Sequence, residues 1–266
     1  MKKVFSLVLI LSLAVGLLVG CTQDSPSDDK IVIGVSPEPH DGIVQQVVDN
    51  LEEEGIEVEL IVLDDYVIPN LNLNDGELDA NFIQHEPYLL NFNAERGMEL
   101  VSIGGVHIEP MALYSNDFSS IEDLPDGAEI AIPNDATNGG RALLLLEVEG
   151  LITLDESVGV EATENDIVDN PKNLVFTALE AATLPRVLDE VDAAIINGNY
   201  ALDAGLNPVD DGLIIEAEES PYANIVAVRS GEENNEKFVK LMEALQSDEI
   251  RTYLQENYKG AVVPAF

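Results

Sequence analysis

The feature that most constrains this chain is an alternation. Short apolar runs lead into polar corners rich in Pro, Asn, Asp and Gly, and these lead into stretches with apolar residues every three or four positions. Ile31 to Val35 reads as a strand. Pro39-His40-Asp41 then starts a helix that places Ile43, Val47 and Leu51 on one face and stops at Gly55. Ile56, Val58 and Leu60 alternate with Glu57, Glu59 and Ile61 as the next strand, and Asp64 to Asn70 forms a strand-to-helix corner. Leu78 to Ile83 is strand-like, and Gln84-His85-Glu86-Pro87-Tyr88 opens a helix that ends near Gly97. Leu100 to Val106 and Ile108 to Tyr114 read as consecutive strands, and Glu129 to Ile132 as another. Leu174 to Leu179 is a strand, Leu184 to Val191 a short helix, and Ala193 to Ile196 a buried strand. Leu213 to Glu216 and Ile225 to Val228 are strands, and two helices close the chain, the first with Phe238, Leu241 and Leu245 on one face. This order implies an α/β fold with mostly parallel sheets, and ligands of such sheets bind at the strands' carboxyl ends. The polar clusters at 64–70, 84–88, 134–141 and 197–199 all follow strands, so they are placed to converge.

The beginning of the chain reads as an address. Met1-Lys2-Lys3 precedes an apolar run from Val4 to Val19, too short for a comfortable membrane span, so residues 1–20 read as a signal peptide. It ends Leu18-Val19-Gly20-Cys21, which looks like a bacterial lipobox with Cys21, the only cysteine, as the lipid-modified residue. Residues 21–30 then form a polar tether. Acyl chains insert at about 0.8 kcal/mol per buried methylene, so the expected location is the extracytoplasmic face of a cell membrane, held by lipid. A single cysteine permits no intramolecular disulfide and no cysteine-based zinc site. The length suits one large or two medium domains.

Charge excludes whole classes of partner. Fifty-one Asp and Glu oppose twelve Lys and Arg, a formal charge of −39, which repels nucleic acid and offers no general attraction to anionic lipid. Hydrophobic residues make up 46 %, so the acid surrounds a core rather than forming a disordered tail.

Scarcity of cations gives Arg141 its interest. In Ile132-Pro133-Asn134-Asp135-Ala136-Thr137-Asn138-Gly139-Gly140-Arg141 a strand turns into a helix with Thr137 or Asn138 as a plausible cap. Unpaired N–H groups of that first turn favour an anion, and a guanidinium can grip a carboxylate with two parallel hydrogen bonds. On this stretch alone a solvated surface Arg is an equal alternative.

Eight motifs in order settle more than any one of them. Pro39-His40, Asp65 to Asn70, Asp79-Ala80-Asn81-Phe82-Ile83-Gln84-His85-Glu86-Pro87-Tyr88 and Pro133 to Arg141 are followed by Asn170 to Leu174, Leu184-Pro185-Arg186, Ala194 to Tyr200 and Ser220-Pro221-Tyr222-Ala223-Asn224. Over nearly the whole chain after the leader, this series resembles the methionine-binding lipoprotein family (NlpA-type), the substrate-binding component of the methionine ABC importer. The resemblance implies a periplasmic-binding-protein fold, two α/β lobes joined by a two-crossover hinge with the ligand cleft between them. Lobe 1 is expected at 31–107 plus 225–266 and lobe 2 at 108–224. It further implies that Arg141 binds the ligand carboxylate, that Asn138 adds a polar contact, and that Asn197 and Asn224 hold the amino-acid backbone. Tyr66, His85 and Tyr88 match positions around the ligand side chain, and His107 one that some relatives fill with an aromatic. Ile83 departs from a position commonly aromatic in the family, and Phe82 cannot replace it because adjacent strand residues face opposite sides. The expected partners are methionine or a close analogue, an ABC permease with its ATPase subunits, and the membrane; the protein is expected to be monomeric, without cofactor or metal.

Rival functions find less support. A lipid-anchored hydrolase would need a nucleophile, yet no Gly-x-Ser-x-Gly elbow is present and the only cysteine is assigned to lipid. A metal-uptake receptor would draw on His40, His85, His107 and an Asp, without supporting ligand spacing. A surface adhesion protein fits the α/β pattern poorly. The acidity itself points to a high-salt habitat, since the screening length falls from about 10 Å at 0.1 M to about 3 Å at 1 M. Thermal melts should rise between low and molar salt; a flat or falling series counts against that adaptation.

Overall fold

The computed structural model describes residues 29–217 and 220–266, so the leader, Cys21, most of the tether and the pair Glu218-Glu219 lie outside the described residues. Strand β1 (Lys30–Val35), helix α1 (Gly42–Glu53), β2 (Glu57–Val62), α2 (Ile68–Asp75), β3 (Ala80–His85), α3 (Glu86–Arg96) and β4 (Leu100–Ile108) come first. Then follow β5 (Ala112–Tyr114), β6 (Glu129–Pro133), α4 (Ala136–Val148), the small strands β7 (Thr153–Leu154) and β8 (Ile167–Asp169), β9 (Val175–Leu179), β10 (Ala193–Ile196), α5 (Gly198–Asp203) and β11 (Ile214–Ile215). The chain finishes with β12 (Ala223–Arg229), α6 (Glu236–Leu245), α7 (Asp248–Tyr258) and β13 (Val263–Pro264). Among the described residues no helix is long and apolar enough to cross a membrane.

Two main sheets result. One has the order β13-β4-β12-β3-β1-β2, the other β11-β5-β10-β6-β9. Both are mixed, which corrects the expectation of mostly parallel sheets. β1 runs parallel to β2 and β3, but β12 lies antiparallel between β3 and β4. The reason is where the chain re-enters: β12 starts beside the end of β3, with Asn224 opposite His85, so it must run back down. In the other sheet β6 is parallel to β9 and β10, while β5 is antiparallel to β10 and β11.

Each sheet is covered on both faces. Ile31, Ile33, Val35 and Phe82 pack with Val47 and Leu51 of α1, Phe238 and Leu241 of α6 and Leu254 of α7. Leu73 of α2 and Leu89 of α3 cover the opposite face. In the other sheet Ile130 and Ile132 pack with Leu143 and Leu146 of α4, whereas Ala131 and Ile196 pack with Leu184 and Tyr200. That split of neighbouring residues is the two-residue period of a strand.

Three local expectations change. The apolar run Ile108 to Tyr114 is not one strand: β4 ends at Ile108, and Glu109-Pro110-Met111 crosses to β5 in the other sheet. Pro110 has no N–H to give a ladder. A second crossover returns from β11 to β12. The helix expected over Leu184 to Val191 is a 3-10 turn over Ala181–Val187, because Pro185 inside it removes a helical hydrogen bond. The cap of α4 is Asp135, whose carboxylate accepts from Asn138 N–H, rather than Thr137 or Asn138. Gly140 in that helix is enforced by packing, since a Cβ there would lie 2.2 Å from the Val160 carbonyl oxygen.

A buried amide network joins α2 to β3. Asn70 Nδ2 donates to Gln84 Oε1 at 2.8 Å, Asn70 Oδ1 accepts from Asn81 at 2.8 Å and Gln84 at 2.7 Å, and Gln84 also donates to Asn81 Oδ1 at 2.9 Å. All three side chains are buried. Removing one member leaves the others with unmet polar groups in a dry site. Asn70→Ala should lower unfolding stability by about 2–4 kcal/mol in urea titrations, whereas Asn74→Ala on the exposed side of α2 should change it little.

Candidate functional site

The strand-end corners do converge. An enclosed cleft between the two sheets is lined by Tyr66 after β2, by Ile83, Gln84 and His85 at the end of β3, and by Tyr88 in α3. Glu109 in the first crossover, Asn138 and Arg141 in α4, Asn197 to Asn199 after β10 and Asn224 in β12 complete it. Eight of the sequence-expected residues therefore meet here. His107 does not reach the wall: it is fully buried behind Glu109, edge-on to the Phe82 ring at 5.2 Å. Phe82 and Ile83 face opposite sides of β3, Phe82 into the core and Ile83 onto the cleft.

The amides mostly satisfy each other. Asn138 Nδ2 donates to both oxygens of Asp135, and its Oδ1 accepts from His85 Nε2 at 3.0 Å and Asn197 Nδ2 at 2.8 Å. His85 Nδ1 accepts from the Tyr88 N–H at 3.2 Å, which assigns the ring proton to Nε2 as the donor to Asn138. Burial, then the charge of Arg141, pushes the His85 pKa down to about 3, so the ring is neutral at physiological pH. Asn197 Oδ1 is different: it is buried without a hydrogen-bond partner among the described residues. Hydrogen bonds between cleft-lining side chains tie the sheets together, His85 to Asn138 and Tyr66 Oη donating to Asn199 Oδ1 at 2.5 Å.

The aromatic wall belongs to Tyr66 and Tyr88, with Tyr200 packed against the Tyr66 ring outside the lining. The Tyr66 ring lies 5.6 Å from Tyr88 and 5.0 Å from Tyr200, and Tyr88 Oη donates to the Tyr66 carbonyl at 3.3 Å. Burial drives the Tyr66 hydroxyl pKa well up, so it stays a donor.

Arg141 is only 4 % exposed and already holds a carboxylate. Its Nε donates to Glu216 Oε1 at 3.0 Å and its Nη2 to Glu216 Oε2 at 2.5 Å and to the Glu109 carbonyl at 2.9 Å. The guanidinium lies over the Tyr222 ring at 4.3 Å. The two-pronged grip expected for a ligand is thus made with Glu216, and Nη1 is the nitrogen with no hydrogen bond among the described residues. The anion-binding N–H groups expected at the start of α4 are likewise engaged, by the Asp135 carboxylate.

Sequence reasoning missed Glu109, Gln84, Asn199, Glu216 and Tyr222. Gln84, Asn199 and Tyr222 stood inside recognised motifs without being singled out. The two glutamates carried no local signal, being two among fifty-one acidic residues. The metal-receptor grouping is also corrected: His40 and His107 meet, but with Glu109 rather than with an Asp, and His85 turns to Asn138 instead. Neither Nδ1 of His40 nor of His107 has a partner among the described residues, whereas metal-bound imidazoles almost always have one.

Known proteins share this fold. The chain is 42 % identical over 253 residues to the D-methionine-binding lipoprotein MetQ of Escherichia coli (strain K12), 92 % of each chain being covered. A nutrient binding protein from Burkholderia cenocepacia, solved bound to methionine, superposes with a TM-score of 0.84 at 45 % identity, over 89 % of this chain and 100 % of that one. An ABC transporter periplasmic substrate-binding protein from Coxiella burnetii gives 0.83 at 40 % identity, over 88 % and 100 %. The family model described as NlpA lipoprotein matches residues 31–266, from the first residue of β1 but one to the end of the chain, and on that match this chain belongs to the NlpA lipoprotein family.

Proposed function

We propose that this protein is a lipid-anchored extracytoplasmic receptor that captures methionine, in the L or the D form, and delivers it to an ABC permease. The observation that carries the reading is the cleft: polar side chains that largely satisfy one another beside an aromatic wall, with Asn197 Oδ1 buried and unpartnered among the described residues. Arg141 Nη1 suits one oxygen of an α-carboxylate. Asn197 Oδ1, buried without a partner among the described residues, suits an ammonium proton. Tyr66 and Tyr88 flank the remaining space, where a thioether gains about 0.3–1.5 kcal/mol per ring contact. Relatives whose names include methionine binding and ABC transport support the assignment.

In this reading the two sheets mark two lobes, 31–107 with 225–266 and 108–224, that close on the ligand about the crossovers. The lobe-bridging bonds of Tyr66 and His85 favour the closed form. The task is binding, with no bond broken. The anchor is the lipid on Cys21, and the monomer docks on the permease and its ATPase subunits.

One observation favours a second reading, a receptor for another small apolar amino acid or a methionine derivative. Ile83 gives the side-chain pocket an aliphatic wall, which accepts a branched aliphatic chain as readily as a thioether. Calorimetry with L-methionine, D-methionine, L-leucine and zinc separates these possibilities. Methionine should bind most tightly; tighter binding of leucine would select the second reading, and binding of zinc alone would remove both. Arg141→Ala should weaken methionine about tenfold or more, from loss of a charge-assisted hydrogen bond, with a melting curve to verify the fold. An unchanged affinity would show that the carboxylate sits elsewhere.

A further inference from the structure

One buried charge on the cleft wall has no role in the reading above. Glu109 lines the cleft and is 5 % exposed. Its Oε1 accepts from His107 Nε2 at 2.6 Å and Asn224 Nδ2 at 3.2 Å, while His40 Nε2 lies 3.5 Å away without a hydrogen bond. His40 and His107 come from positions far apart in sequence, one on the turn before α1 and one in β4, and their rings stand 4.9 Å apart. Burial pushes both imidazoles down to about 3, so neither brings a positive charge at physiological pH. Arg141 touches only the Glu109 backbone carbonyl, because its Nε and Nη2 serve Glu216. Burial raises the Glu109 pKa, against the opposing pull of His40, Arg141 and the Asn199 N–H. A carboxylate in such a site costs free energy until a cation joins it.

The geometry says where that cation would come from. Gly198 packs against Glu109 on the cleft side: a Cβ there would lie 2.6 Å from the Glu109 Cβ and 3.1 Å from Oε2. The glycine lets the start of α5 close over the carboxylate. Oε2 is the oxygen not engaged by His107 or Asn224, and the backbone N–H of Asn199 also faces this carboxylate. Asn197 Oδ1, unpartnered among the described residues, lies in the same wall.

We propose that Glu109 is the counter-charge for the ligand's α-ammonium group, and that His107 is a neutral positioning residue whose Nε2–H holds Oε1, with the His40 ring packed edge-on against it. His107 then keeps a bare Nδ1, which agrees with that atom lacking a partner among the described residues. In a metal site that atom would carry a proton with no acceptor. Arg141 and Glu109 together make the cleft selective for a zwitterion over a plain carboxylic acid. The inference rests on the reading of the cleft as an amino-acid site.

The test compares L-methionine with 2-hydroxy-4-(methylthio)butanoate, which keeps the carboxylate and side chain and replaces the ammonium by a hydroxyl. In calorimetry on the full chain, Glu109→Gln should weaken methionine about 30-fold and the hydroxy acid less than about twofold, the signature of a lost charge-assisted hydrogen bond. His107→Leu should weaken methionine selectively, and His107→Gln, which keeps a neutral donor, should restore most of that loss. Glu109→Gln should also melt no lower than the natural protein, since it removes a buried charge. Equal losses for both ligands, no loss for methionine, or a collapsed melting curve would overturn the assignment. So would stoichiometric zinc binding by the natural protein that Glu109→Gln abolishes, which would make the trio a metal site. If the natural protein binds neither ligand, the amino-acid reading fails and this assignment with it. Binding with non-selective losses defeats this assignment alone.

Discussion

The buried guanidinium of Arg141 is the interaction on which the hinge region depends. A single side chain from α4 holds the Glu216 carboxylate, the Glu109 carbonyl and the face of Tyr222. Glu109 belongs to one crossover between the sheets, Glu216 and Tyr222 to the other. A cation this deep persists only when paired and hydrogen-bonded, and the pairing here draws both crossovers onto one helix. In a chain with twelve basic residues against fifty-one acidic ones, the use of an Arg inside rather than on the surface shows how much this junction demands. It also explains the glycines that precede it. A Cβ at Gly139 would lie 2.9 Å from the Pro133 carbonyl and one at Gly140 2.2 Å from that of Val160, so α4 sits against backbone that only glycine allows.

Around that junction the cleft is organised by self-satisfaction. Asn138 occupies all its polar capacity with Asp135, His85 and Asn197, and the Asn70, Asn81 and Gln84 amides close among themselves one layer back. Side chains held this way are preorganised, so a ligand loses less affinity to ordering them. The groups left over define what the cleft can accept: a guanidinium nitrogen, a lone amide oxygen and a buried carboxylate, beside a tyrosine wall. A guanidinium and a carboxylate in one small site match a zwitterion better than any singly charged molecule. The neutral histidines belong to that logic, since protonating them would satisfy Glu109 from behind and weaken its pull on a ligand.

Much of the fold was legible because strand and helix periods are local. Ile130 and Ile132 pair on one face and Ala131 on the other, as adjacent strand positions must, and the opposition of Phe82 and Ile83 followed from the same rule. Strand-end corners were legible too, because Pro, Asn, Asp and Gly mark where strands stop, and the rule that ligands gather at carboxyl ends placed Tyr66, His85, Asn138, Arg141 and Asn197 together. What failed locally failed for nameable reasons: Pro110 and Pro185 broke the elements expected across them, and the nearby Asp135 took the cap of α4.

The sequence by itself determined the alternation of elements, the faces they bury and the corners that meet. Only the tertiary structure decided who pairs with whom. Glu216 reaches Arg141 across 75 positions, and Glu109 gathers His40 from 69 positions upstream, with nothing in either neighbourhood to mark the partner. It also decided that Arg141 grips the protein's own carboxylate and that His107 stands behind the cleft wall instead of in it. The physical reason is one of range. Periodicity and turn chemistry act between neighbours in the chain, whereas the energy of a buried charge is set by whatever the fold brings within a few ångströms of it.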